Sequence, residues 1–263
     1  MILVADIGNT TITVGVYDDD KLIQKWLMSS DVKRSEDEYG VILCSFLKHS
    51  GLEGRITDSV ISSVVLPLTE KIENAVSKYI GIKSLIVNYK INTGVKIKTD
   101  KPEEVGADRI VNAYAASLKY KLPVIVVDFG TATSFDIVNE KNEFIGGIIS
   151  AGMKIQAHAL SQFTSKLPKV KIEAPEKTIA TNTVDAMLSG IVRGHAAMID
   201  GLIAACEEEL GTSVTTVATG GYSSIISKYL KRPFDDVNEN LTLDGLNELW
   251  KLNQVFPVEK IKI

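Results

Sequence analysis

Two short stretches of this chain place an aspartate, a glycine and hydroxyl side chains at the end of an apolar run. The first is Asp6-Ile7-Gly8-Asn9-Thr10 and the second Asp128-Phe129-Gly130-Thr131-Ala132. An apolar strand delivers the aspartate to its end, where the chain must turn. Glycine permits close backbone approach there, so amide N–H groups can face a phosphate. Asn9, Thr10 and Thr11 add short hydrogen-bonding side chains. A carboxylate beside such a turn is placed to hold magnesium, directly or through water. One such turn alone is better read as an ordinary β-turn. Two of them, each after an apolar strand and before a hairpin, favour phosphate binding. Ala218-Thr219-Gly220-Gly221 is a third glycine turn after a strand and suits an adenosine. Walker A and GxGxxG patterns are absent, which disfavours P-loop and Rossmann binding.

Gly106-Ala107-Asp108-Arg109 opens a helical stretch from Ile110 to Lys119. Asp108 can accept a proton from a substrate hydroxyl, as phosphoryl transfer to an alcohol requires. Arg109 can bind a carboxylate or a phosphate oxygen. From the residues alone Asp108 is also a natural helix N-cap, and Thr183, after Asn182, begins a helix that it could simply cap. His49, His158 and His195 are scattered, with no pair at metal-ligand spacing, and read as structural.

The elements that must position these residues are written twice. Residues 2–26 and a segment from about residue 124 each read as strand, glycine turn, strand, polar turn, strand. The polar turns are Asp18-Asp19-Asp20 and Asn139-Glu140-Lys141-Asn142, residue types that tolerate tight turns. The second copy is inexact, since Thr131 falls where Asn9 sits and Thr133 one place after Thr10. Ser35 to Glu38 is a capping-box pattern that opens a helix towards Gly51. Residues 61–65 read as a strand, and Leu68, Ile72, Val76 and Ile80 recur on a following helix. A long helical stretch is expected over 183–210, stopped by Gly211, and a strand from Val214 to Thr219. Alternation of this kind argues α/β layers.

The bulk properties exclude several classes. With 263 residues, 45% hydrophobic and 24% charged, the chain is an ordinary globular protein able to bury a sizeable core. A net charge of -4 gives no overall attraction to nucleic acid or anionic membrane. Cys44 and Cys206 lack metal-ligand spacing and read as buried thiols in a reducing compartment. The start of the chain is too short in apolar length for a signal peptide, and no run approaches a membrane span. A cytoplasmic protein is expected.

Taken in order, these motifs resemble the type III pantothenate kinase family. The resemblance covers nearly the whole chain. It runs through DIGNT at 6–10, EDEYG at 36–40, VGADRIVNA at 105–113 and VDFGTATSFD at 127–136. It continues with GG at 146–147, LPKV at 167–170, NTVDAM at 182–187, SGI at 189–191, ATGG at 218–221 and LTLDGL at 241–246. GADR followed by DFGTAT is the specific part. The resemblance implies an α/β, duplicated ribonuclease H-like (actin-like ATPase) fold, with similar domains at 1–115 and 116–263 around a nucleotide cleft. The implied activity is ATP-dependent phosphorylation of pantothenate to 4'-phosphopantothenate, the first step of coenzyme A biosynthesis. Position by position, Asp6, Ile7, Gly8, Asn9, Thr10, Thr11, Ile12 and Thr13 would hold the ATP phosphates, with magnesium near Asp6, and Thr131 would contact ATP. Asp108 would be the general base, and this context favours that role over the cap. Gly106, Ala107, Arg109 and Thr183 would line the pantothenate site, and Asp128 would bind potassium or ammonium. A homodimer is implied, with the substrate site at or near its interface.

Some positions depart from the family. Thr99 stands in the pantothenate site where an aromatic residue is usual, Ser134 replaces a common Thr, and Leu66 and Ala151 stand where prolines are usual. Rival readings are a non-catalytic regulator of the same fold, a kinase or phosphatase of the superfamily acting on another small substrate, and an actin-like filament.

Overall fold

Five of the six residues of the first strand, β1 (Ile2–Ile7), are buried, and the exception is Asp6. A continuous apolar run of this kind needs cover on both sheet faces, which makes it a central strand. The computed structural model describes residues 1–255, and β1 is flanked on both sides. It pairs antiparallel with β2 (Thr11–Asp18), which pairs with β3 (Lys21–Ser29). On its other edge β1 runs parallel to β4 (Asp58–Ser63). Helix α1 (Glu36–His49) precedes β4 and α2 (Leu66–Ile80) follows it, leading to β5 (Ser84–Ile86), so the sheet order is β3-β2-β1-β4-β5. The short β6 (Lys96–Ile97) and helix α3 (Ala107–Lys119) come next.

The second unit repeats this plan. β7 (Val124–Phe129) has the burial pattern of β1, and the half-exposed residue is again the aspartate, Asp128. It pairs antiparallel with β8 (Ala132–Val138), which pairs with β9 (Glu143–Ala151). Helices α4 (Met153–Phe163), α5 (Thr183–Leu188) and α6 (Gly194–Leu210) follow. Then β10 (Thr215–Thr219) runs parallel to β7, and after α7 (Ser223–Ile226) a short β11 (Asp236–Val237) runs parallel to β10. Five of the second sheet's six strands, in the order β9-β8-β7-β10-β11, match the first sheet position for position. Even the irregularities recur, at Val16/Tyr17 in β2 and Ile137/Val138 in β8.

The chain closes with α8 (Leu241–Val255), which returns to the first unit. Among the described residues the two compact units are therefore Met1–Lys119 with Leu241–Val255, and Tyr120–Asn240. This division differs from halves cut at 115, because α3 runs on to Lys119 and α8 packs on α3. Gly245 makes that packing close: a Cβ there would stand 2.7 Å from the Val111 side chain. The Asp244 carboxylate of α8 accepts from the Tyr17 hydroxyl at 2.6 Å and from Lys119 at 2.5 Å.

Local expectations fare variously. Ser35 makes both halves of a capping box with Glu38. Asp19 and Asn142, in the two polar turns, have positive φ of 50° and 58°. The strand expected at 61–65 lies instead at Asp58–Ser63. Ser63 Oγ accepts from the Val65 N–H at 3.1 Å, which turns the chain into α2, where Pro67 sits in the first turn. The stretch 183–210 is helical, but Ser189–Arg193 winds as a π-turn between α5 and α6, and Gly211 ends it in a left-handed conformation. Cys44 and Cys206 are half-buried free thiols, and burial raises both above the ordinary thiol range. Among the described residues no helix is long and apolar enough to cross a membrane.

Candidate active site

The two aspartates occupy the same structural place. Asp6 is in register with Thr13 on β2 and Ser62 on β4, and Asp128 with Ser134 on β8 and Thr219 on β10. Register partners project to one face of a sheet, so hydroxyl residues flank each carboxylate on both sides. The pairing also explains the inexact repeat. The first turn spends three residues, 8–10, between its strands and the second only two, 130–131. Thr133 is therefore the counterpart of Ile12, and its side chain points to the face opposite Asp128.

In both turns backbone carbonyls are drawn back into the protein. Gly8 N donates to Thr11 O at 3.1 Å. Ser30, at the end of β3, donates through Oγ to Gly8 O at 2.5 Å and through its N–H to Thr10 O at 3.0 Å. In the second turn the carbonyls of Gly130 and Thr131 crowd against Gly152, where a Cβ would stand 2.8 and 2.3 Å from them. Tying carbonyl oxygens to the protein removes negative dipoles from the side an anion would approach. Neither Ser30 nor Gly152 is marked by local sequence: each lies far along the chain from its turn and is brought there by the third strand of a meander. Asn9, Thr10, Thr11 and Thr131 are exposed, whereas the Ile7 and Ile12 side chains are core and leave only main chain for a ligand.

The third glycine turn closes on Asp128. Gly220 has φ of 86°, and a Cβ there would meet Asp128 Oδ1 at 2.6 Å and the Phe129 main chain at 2.8 Å. Its carbonyl accepts from Ser223 Oγ at 2.8 Å. Among the described residues no three His, Cys, Asp or Glu side chains group as a metal site. The oxygen donors in register at each aspartate are one carboxylate and two hydroxyl side chains. Such an all-oxygen set fits a hard cation that shares its remaining ligands with phosphate or water.

Asp108 does not cap α3. It is the second residue of the helix, whose opening bonds run from the N–H groups of Arg109 and Ile110 to the Gly106 carbonyl at 3.1 and 3.2 Å, the first of these N–H groups being shared with the Asp108 side chain. Asp108 Oδ1 accepts from the Arg109 N–H at 2.8 Å. A Cβ at Gly106 would approach that oxygen to 2.6 Å, so a side chain there would push the carboxyl out of this position. Burial raises the Asp108 carboxyl above the usual carboxylate range, outweighing the Arg109 backbone bond and charge that pull it down. A half-buried carboxylate made more basic in this way is suited to accepting a proton. Ala107 beside it is buried, and Arg109 is half-exposed.

Thr99 is half-buried, and its Oγ1 is shielded from solvent without a hydrogen-bond partner. An unsatisfied hydroxyl of this kind calls for a ligand or water. Thr183 is not a cap either: Asn182 accepts from the Asp185 N–H at 2.9 Å, and Thr183 is the exposed first residue of α5. Asp6, the 8–13 turn, Thr99 and residues 106–109 thus belong to the first unit, and Asp128, Thr131 and Thr183 to the second.

Comparison with known proteins bears on both fold and family. A family profile for type III pantothenate kinase matches residues 2–205. A type III pantothenate kinase of Geobacter sulfurreducens is 44% identical over 255 residues, covering 97% of this chain and 100% of the relative. One from Dehalococcoides mccartyi is 42% identical, covering 97% of each chain. Among solved structures, a conserved Baf-family transcriptional activator from Campylobacter jejuni superposes with a TM-score of 0.60 at 18% identity, covering 97% of this chain and 100% of that one. A ROK-family glucokinase from Streptomyces griseus, in complex with glucose and AMPPNP, does so at 0.55 and 12%, covering 94% and 98%. At such identity these structures speak for the fold alone, which is that of actin-like ATPases and sugar kinases. The profile and the end-to-end identity with curated relatives go further: this chain belongs to the type III pantothenate kinase family.

Proposed function

We propose that this protein transfers the terminal phosphoryl group of ATP to the primary hydroxyl of pantothenate, giving 4'-phosphopantothenate and ADP at the first step of coenzyme A biosynthesis. Family membership supports the substrate pair. The observation that carries the mechanism is the Asp108 carboxyl, made more basic by burial and given its space by Gly106. Asp108 takes the proton of the pantothenate hydroxyl as its oxygen bonds to the γ-phosphorus and the bond to the ADP oxygen breaks. Gly106, Ala107, Arg109, Thr99 and Thr183 bind pantothenate. In this reading Arg109 pairs with its carboxylate, and the buried Thr99 Oγ1, which has no partner within the protein, bonds to pantothenate.

Residues Asp6 to Thr13 hold the phosphates, with Ile7 and Ile12 acting through main chain only, and Thr131 contacts ATP. Magnesium bound with ATP neutralises phosphate charge, and Asp6 is the side chain that would hold it. Asp128, with hydroxyl neighbours and Gly220 against it, would hold a potassium or ammonium ion. We place the protein in the cytoplasm as a homodimer, supported by large apolar side chains exposed on the second unit, among them Ile149, Phe163 and Ile179.

Asp108→Asn keeps the shape and removes the base. Turnover should fall by about 10²–10⁴-fold, while the dissociation constant for ATP, measured by calorimetry, stays within about twofold. Near-normal turnover would remove Asp108 from this role.

A further inference from the structure

His195 lies on α6 with 2% of its surface exposed, a buried ring that the proposed mechanism does not use. Its Nε2 is 2.9 Å from Thr133 Oγ1 and its Nδ1 is 3.0 Å from Gln156 Nε2. Gln156, on α4, also donates through the same nitrogen to the Ala151 carbonyl at 2.8 Å. A carbonyl only accepts, so the Gln156 atom facing it must be the amide NH₂. That NH₂ also faces Nδ1, which must therefore be the unprotonated acceptor. The ring proton is on Nε2 and is donated to Thr133.

Both ends of this chain of bonds stop at the second phosphate turn. Thr133 is two residues beyond Thr131, opposite Phe129 in the β7–β8 ladder. Ala151 precedes Gly152, whose α-carbon is wedged against the Gly130 and Thr131 carbonyls. We infer that His195 is a positioning residue for ATP binding: its neutral ring ties Thr133 to the Ala151–Gly152 junction through Gln156 and so fixes the Gly130–Thr131 backbone between them. The inference rests on the reading that this turn contacts ATP.

A proton on Nδ1 would oppose the Gln156 NH₂, and turning the amide over would set its oxygen against the Ala151 carbonyl. Protonation therefore breaks the network at one bond or the other. The ring's surroundings favour the neutral state. Burial is the cause that lowers its pKa, and the side chains that reach it, Thr133, Gln156 and Phe129, carry no charge.

The test is the dissociation constant of AMPPNP with magnesium, measured by calorimetry on the full chain between pH 5.5 and 8. Wild type, His195→Asn, Gln156→Glu and Thr131→Ala are compared, with pantothenate binding and thermal melting measured for each. Gln156→Glu, which cannot donate to Ala151, should weaken AMPPNP at pH 7.5 about three- to tenfold, the loss of one net hydrogen bond, and change pantothenate binding less than twofold. Wild type should lose AMPPNP affinity on acidification more steeply than His195→Asn, which cannot titrate. Unchanged AMPPNP affinity in Gln156→Glu, or parallel pH profiles in wild type and His195→Asn, would overturn the inference. So would equal loss of both ligands. A silent Thr131→Ala would instead overturn the underlying reading of the turn.

Discussion

At the scale of single residues, the burial that raises the Asp108 carboxyl, and on which its proposed role as base rests, works against the fold. A carboxyl whose folded pKa lies above its unfolded value holds its proton to higher pH in the folded state. Its contribution is complete below the unfolded pKa and is lost as pH rises through the folded one, so at neutral pH the ionised group is a liability. Asp108→Asn should therefore melt at a higher temperature than wild type at pH 7.5 without ligands. That difference should shrink as pH falls through the raised folded pKa and be gone below about 4, the ordinary aspartate value. Scanning fluorimetry over pH checks this, and a variant that melts lower at pH 7.5 would show the carboxyl to be stabilising. The residue identities here were legible in sequence, but the choice between base and cap was not. The cap is set aside only by where the helix begins, since Asp108 is its second residue and the Ile110 N–H bonds to the Gly106 carbonyl.

At the scale of elements, the meander is the repeated device. A central apolar strand ends in an aspartate, a short turn follows, and a residue from the third strand or just beyond it braces the turn. Both meanders were readable from their apolar runs and polar turns, because strand periodicity and turn chemistry are local. The braces were not, since Ser30 and Gly152 act only once the third strand has been laid beside the second. The one-residue difference in turn length likewise hid the equivalence of Ile12 and Thr133 until the register was known. Gly220 carries a prediction at this scale. Gly220→Ala puts a Cβ into a left-handed backbone position, costing roughly 1–2 kcal/mol, and 2.6 Å from Asp128 Oδ1. The variant should melt several degrees lower and need more potassium for half-maximal activity. An unchanged potassium requirement would separate Gly220 from the cation site.

At the scale of the whole molecule, duplication accounts for most of the fold. The two sheets share strand order, pairing sense and the position of their bulges. The chain departs from a simple tandem at its end, where α8 rejoins the first unit; no helix is read there from the sequence, and the surface it covers is set by long-range packing on α3. Exposed Phe163 (81%) and Ile179 (85%) belong to the second unit. If they are covered in a homodimer, Phe163→Asp with Ile179→Asp should shift the mass measured by light scattering from two chains towards one. Unchanged dimer mass would place the interface elsewhere.

The most direct test of the account is a coupled ADP-release assay with ATP, magnesium and pantothenate, run in potassium and then in sodium buffer. The account predicts ADP formation that depends on pantothenate and is at least several-fold faster in potassium. A folded protein that releases no ADP with pantothenate in either buffer, or releases it equally without pantothenate, would contradict it.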